Sequence, residues 1–90
     1  ALGDTKSALQ SYESSLKIRE DLRKRNPDSA EYARDIIVSY YKLAGYYHQI
    51  NDPKVEEIFT KLIEALTYMK NKKMFMDPSL VNLCKQLGIE

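Results

Sequence analysis

Apolar positions along the chain recur every three or four residues, and polar residues fill the positions between. Leu9, Tyr12, Leu16, Ile18 and Leu22 form one such series. Ala33, Ile36, Ile37, Tyr40, Leu43, Ala44, Tyr47 and Ile50 form a second. Val55, Ile58, Phe59, Leu62, Ile63, Leu66 and Met69 form a third and wider one. This spacing keeps one face of a helix apolar. Nowhere do apolar and polar residues alternate cleanly between turn residues, so no strand competes. The pattern predicts an all-α chain of about four helices.

Helix boundaries follow from the punctuation. A first helix is expected from about Asp4, with Asp4 or Thr5 as its cap, to Lys24 or Arg25. Asn26-Pro27 ends it, because proline pushes the preceding residue out of the helical region. Asp28 and Glu31 read as a capping-box pair opening a second helix, from about Ser29 to Gln49. That helix would be roughly 30 Å long at 1.5 Å per residue. Asn51-Asp52-Pro53 stops one helix and starts the next, with Asp52 as cap and Pro53 at the first helical position. The third helix is expected to reach Asn71, with Lys70, Lys72 and Lys73 suited to its negative C-terminal end. Asp77-Pro78 repeats the start signal, and a short fourth helix runs to about Leu87, where Gly88 is a good terminator. Such tight turns imply antiparallel neighbours. The whole is read as one domain, residues 1–90.

Two turns begin alike. Gly3-Asp4 leads into Ala8, Leu9, Tyr12 and Ser15, and Asn51-Asp52 leads into Val55, Phe59 and Leu62. Recurring helix pairs that cannot bury their apolar faces alone are the mark of a repeat array. Ala1-Leu2-Gly3-Asp4 reads as the last turn of a preceding helix, so the chain reads as a piece of a longer protein.

At these residues the chain resembles the tetratricopeptide repeat family. Tyr40, Leu43, Ala44 and Tyr47 match the family's first helix, with Ala44 where glycine is usual. Asn51-Asp52 matches its turn. Val55, Phe59 and Leu62 match the second helix after one deletion, and Gly3-Asp4, Ala8, Tyr12 and Ser15 match an earlier turn and helix without one. The stretch from Tyr12 to Asp35 is similar to long-helix variants such as kinesin light chain repeats. The resemblance implies antiparallel helix hairpins in an α-solenoid, with a concave face that binds a peptide or helix of a protein partner. The concave positions carried over are Val38, Tyr41, Lys42, Gly45, His48 and Gln49, with Arg34 one turn further. Where some family members grip a carboxylate with Lys, Asn and Arg, this chain has Tyr41 and Gly45 at two of the positions, which argues against that use.

Composition narrows the alternatives. Lys and Arg number 14 and Asp and Glu 13, so there is no global field, and neither a nucleic-acid nor a membrane partner is expected. No apolar run approaches the roughly 18 residues of a membrane span. Cys84 is the one cysteine and cannot make an intrachain disulfide; beside Leu83 and Leu87 it reads as a small buried hydrophobe. A cytoplasmic location is expected.

Candidate chemistry is sparse. Five of the seven tyrosines lie between Tyr32 and Tyr47. Tyr40 and Tyr47 sit on the apolar stripe, while Tyr41 points about 100° away and Tyr46 leans off it. Tyr41 is therefore the candidate contact residue, with Val38 beside it and Arg34, Lys42 and His48 as polar tips. His48 is the one histidine, with no partner to share a metal or orient a base. The basic run Lys17, Arg19, Arg23, Lys24 and Arg25, and the run Lys70, Lys72 and Lys73, read as solvated helix ends. No phosphate-binding loop or metal-ligand spacing is present, so no cofactor, metal or catalytic activity is expected. The alternatives to a protein-interaction module are self-association through Leu9 and Leu16 at an open N-terminal end, and a non-catalytic regulatory region of a larger enzyme.

Overall fold

The computed structural model describes residues 2–89, with side chains from residue 6 onward. Four helices follow one another: α1 (Leu2–Arg25), α2 (Ala30–Gln49), α3 (Lys54–Asn71) and α4 (Pro78–Gln86). There is no strand among the described residues.

Three of these helices end in the same way. A residue in the left-handed region follows the cap, and the next amide reaches back to close the last turn. In α2 that residue is Asn51 (φ 56°), and the Asp52 N–H donates to the Tyr47 carbonyl at 2.9 Å. In α3 it is Lys73 (φ 55°), with the Met74 N–H donating to Met69 at 3.0 Å. In α4 it is Gly88 (φ 74°), with the Ile89 N–H donating to Cys84 at 2.9 Å. Gly88 suits this conformation because it has no Cβ to clash.

The helix starts also follow local chemistry, with three departures from expectation. Ser29, not Asp28, caps α2: its Oγ accepts from the Tyr32 N–H at 3.1 Å. A serine oxygen three residues ahead of that amide has the right reach, and Asp28 stands one position too early. At the chain start the backbone is helical from Leu2, so Gly3-Asp4 lies within α1 and forms no turn. An acidic residue in a first turn is favoured by the positive end of the helix, so nothing forces a break at Asp4. The capping role given to the Asp4 and Thr5 side chains, and Ala1 itself, lie outside the described residues. α3 begins at Lys54 with Pro53 as its cap residue, so neither Asp52 as cap nor Pro53 as first helical residue holds. The Asp52 carboxylate accepts from the Lys54 N–H, two residues on, at 2.9 Å, in a turn that precedes the helix. Asp77 caps α4 through the Leu80 N–H at 3.0 Å, with Pro78 at the first helical position.

α1 and α2 run antiparallel. Glu20 pairs with Tyr40, whereas Tyr12, two turns earlier in α1, lies against Tyr46, further along α2. α2 and α3 are likewise antiparallel: Tyr47 meets Lys54 near the turn, and Ile36 and Tyr68 line one cleft at the opposite end. α2 is thus the central rod, and its side chains Ile36, Ile37 and Leu43 are almost wholly buried, as are Leu62, Leu66 and Met69 of α3. Each such side chain contributes about 1.5–3 kcal/mol by leaving water. α1 adds Leu16, with Leu9 and Tyr12 packed at the margin, and α4 adds Leu80 and Cys84.

Ile18 departs from its expected place and is 64% exposed. It lies two residues from buried Leu16, about 200° around the helix, which is the opposite face. Ile50, Phe59 and Ile63 also keep substantial exposure, although each belongs to an apolar series. Leu16 is buried against α2, so it is not available for the self-association expected of it.

A polar contact joins α1 to α2 at the margin of the core. Ser39 Oγ is buried, donates to the Asp35 carbonyl at 3.1 Å and accepts from the Arg19 guanidinium of α1. A buried hydroxyl with both donor and acceptor roles filled costs little, and it fixes the register of the two helices.

A groove between α2 and α4

The end of α3 and the start of α4 return the chain to the flank of α2. Asp77 is fixed there from two sides. Its Oδ1 accepts from the Leu80 amide and its Oδ2 accepts from the Nε of Arg34. The Arg34 guanidinium, joined by the backbone N–H groups of Leu80 and Ser79, holds the Asp77 carboxyl below its usual range. The same contact raises the Arg34 pKa. Leu80 and Cys84 then turn into the core, which leaves the other side of α4 facing α2 across a gap.

That gap is an open groove of about 400 Å³. From α2 it takes Arg34, Ile37, Val38, Tyr41 and Lys42, and from α4 it takes Ser79, Leu80, Asn82, Leu83 and Gln86. Its surface is largely apolar, with cations at the α2 edge and amide side chains on the α4 edge. Val38 is half-buried, and Tyr41 is 56% exposed with its ring on the groove wall. Lys42 stands at the α1 side, its Nζ 5.9 Å from the centre of the Tyr12 ring, and Tyr12 in turn packs on Tyr46 at 5.3 Å.

Four of the six residues expected to bind a partner, Arg34, Val38, Tyr41 and Lys42, therefore share this groove. The other two do not join them. Gly45 is exposed further along α2, and a Cβ placed there would meet nothing within 4 Å. His48 is exposed in the last turn of α2, beside a shallow hollow that Pro53 and Val55 also line. The second wall, Leu83, Asn82 and Gln86, is not among the residues expected to bind a partner. Its signal was present: Asp77-Pro78 starts a helix, and Leu80, Leu83 and Leu87 give it an apolar side that must pack somewhere.

The two tyrosines expected in the core are there. The hydroxyl of buried Tyr40 donates to Glu20 at 2.9 Å, and burial with the adjacent carboxylate pushes its pKa up. Tyr47 is buried too, and burial with nearby Glu13 raises its pKa. Cys84 is buried.

The two basic runs, far apart in sequence, meet in space. Arg23 of α1 lies over the Tyr68 ring at 4.8 Å, and Lys72 after α3 lies 5.8 Å from the same ring. The Tyr68 hydroxyl donates to the Pro27 carbonyl at 2.9 Å, which ties α3 to the α1–α2 turn.

Among the described residues no group of three or more His, Cys, Asp or Glu side chains is placed to hold a metal ion. Nor is any described helix long and apolar enough to cross a membrane. No family model, curated protein or solved structure matches this chain, so its likeness to tetratricopeptide repeats rests on the residues quoted above.

Proposed function

We propose that this chain is a protein-interaction module, a section of a helical-repeat scaffold that receives a short segment of a partner in the α2–α4 groove. The reading is carried by one observation: an apolar groove open to solvent, with a large aromatic side chain, Tyr41, half out of the packed structure. Tyrosine on a rigid helix offers wide contact area at small entropic cost, and such residues concentrate binding energy. The consecutive antiparallel packing of α1, α2 and α3, and the placement of α4 beside α2, support the repeat-scaffold part of the reading. Val38, Tyr41 and Leu83 would take an apolar side chain of the partner. Asn82 and Gln86 would meet its backbone, and Lys42 would meet an acid at its flank. Gly45 and His48 extend the same face of α2 but stand outside the groove. No catalytic step and no cofactor belong to this reading.

Selection of short peptides from a displayed library, followed by amide-shift mapping on the chain, tests it. Selected peptides should shift the amides of Val38, Tyr41, Asn82 and Leu83. Tyr41→Ala should weaken them about tenfold or more while changing stability by no more than about 0.5 kcal/mol, as for other exposed positions. Peptides that map elsewhere, or that bind Tyr41→Ala as well as the parent chain, would remove the groove from consideration.

A further inference from the structure

The end of the molecule away from the α2–α3 turn gathers what the sequence keeps apart. The last turn of α1 brings Arg23, Lys24 and Arg25, and the end of α3 brings Lys70, Lys72 and Lys73. Arg25 is engaged by Asp21 at 3.2 Å. The remaining five cations outnumber the exposed acids of the α2 start, Asp28 and Glu31; Glu20 and Asp21 line a hollow with Lys24, and Asp77 is taken up by Arg34. A chain of almost balanced charge thus has a locally cationic pole. Directly after Lys73 the chain turns through Met74-Phe75-Met76, and the Phe75 side chain is 80% exposed. Among the exposed large apolar residues it stands furthest into solvent. A phenylalanine so placed gains nothing from the fold, and it sits two residues from Lys73.

We propose that this pole docks on an anionic lipid surface, with Phe75 entering the headgroup region and Lys70, Lys72, Lys73, Arg23 and Lys24 facing the lipid phosphates. An apolar side chain beside several cations is the combination that holds peripheral proteins to such surfaces. The cations supply attraction within a Debye length, and the apolar tip supplies burial. A single-stranded nucleic acid fits less well. It needs aromatic faces on which successive bases stack, and the Tyr68 ring at this pole already faces Arg23 and Lys72.

Co-sedimentation of the full chain with vesicles is the test. Binding is expected to phosphatidylcholine vesicles that contain phosphatidylserine and not to phosphatidylcholine alone, and it should fall as salt rises. Phe75→Ser should weaken it about tenfold, and Lys72→Glu with Lys73→Glu by more than that. Circular dichroism should stay unchanged, since all three side chains are exposed. Phe75→Trp should show blue-shifted fluorescence on adding the anionic vesicles. Indifference of the parent chain to anionic vesicles, or full binding by Phe75→Ser, overturns the proposal. So does single-stranded RNA binding that depends on the lysines and not on Phe75.

Discussion

Arg34 of α2 and Asp77 at the head of α4 form an ion pair that is also a helix cap, since the other oxygen of the same carboxylate holds the Leu80 amide. One side chain therefore starts α4 and fastens it to α2. Asp77→Ala removes both functions, and α4 is expected to loosen while α1–α3 stay folded. Amide exchange should quicken at Leu80 through Gln86 and not at Leu43 or Leu66. The acid response follows the same logic. The Asp77 pKa is lowered in the folded state. The contact's contribution is thus present above the unfolded carboxylate value, about 3.9, and is lost as pH falls through the folded one. Exchange at α4 should quicken in acid, and much less so in Asp77→Ala, which has already lost the contact.

Tyr40 gives the opposite pH dependence. Burial and Glu20 raise its pKa in the fold, and Tyr47 shares the direction. The unfolded chain gives up these protons first, near pH 10. The stabilisation is complete below that pH and is lost as pH rises towards the folded values. Thermal unfolding should hold steady between pH 7 and 9 and drop above about pH 10. Tyr40→Phe should drop less steeply there. It should cost about 1 kcal/mol at neutral pH, the usual size of one lost hydrogen bond; Glu20 keeps Lys61 as a neighbour at 3.8 Å.

Lys73 occupies a left-handed backbone position that favours glycine. Its side chain is exposed, so replacement disturbs no packing. Lys73→Gly should stabilise the chain by about 0.5–1 kcal/mol, the relief of strain less the added freedom of the unfolded chain. For a domain of this size that is a rise in Tm of roughly 2–8 °C. A calorimetric scan that shows no rise, or a fall, would mean that the α3–α4 turn bears the strain at no cost.

Helix positions were legible because their signals are local. Asn26-Pro27, Asp77-Pro78 and Gly88 each act within a few residues: α1 stops at the first, α4 begins at the second and ends just before the third. What the sequence concealed depends on partners distant in the chain. Ile18 looked like part of a stripe, yet only one side of α1 meets another helix, and Ile18 faces away. Ser29 and Asp28 are both good caps by type, and only the backbone path selects between them. The apparent kinship of Gly3-Asp4 with Asn51-Asp52 fails because composition alone does not impose a turn inside a run of helix formers. At the candidate site, the resemblance to tetratricopeptide repeats grouped Arg34, Val38, Tyr41, Lys42, Gly45 and His48 on one face of α2. It could not reveal that α4 returns to face the first three turns of that surface and stops short of Gly45 and His48. The two basic runs looked like independent helix ends because the ring between them, Tyr68, is remote from the first in sequence.

α4 is 9 residues long, well below the length at which a helix persists unaided in water. The recess it borders therefore exists only while that short rod stays seated. A guest touching both walls would pin the rod in place, and the observed affinity would be the intrinsic one scaled by the seated fraction. Fastening α4 more firmly should then tighten capture with no new contact to the guest.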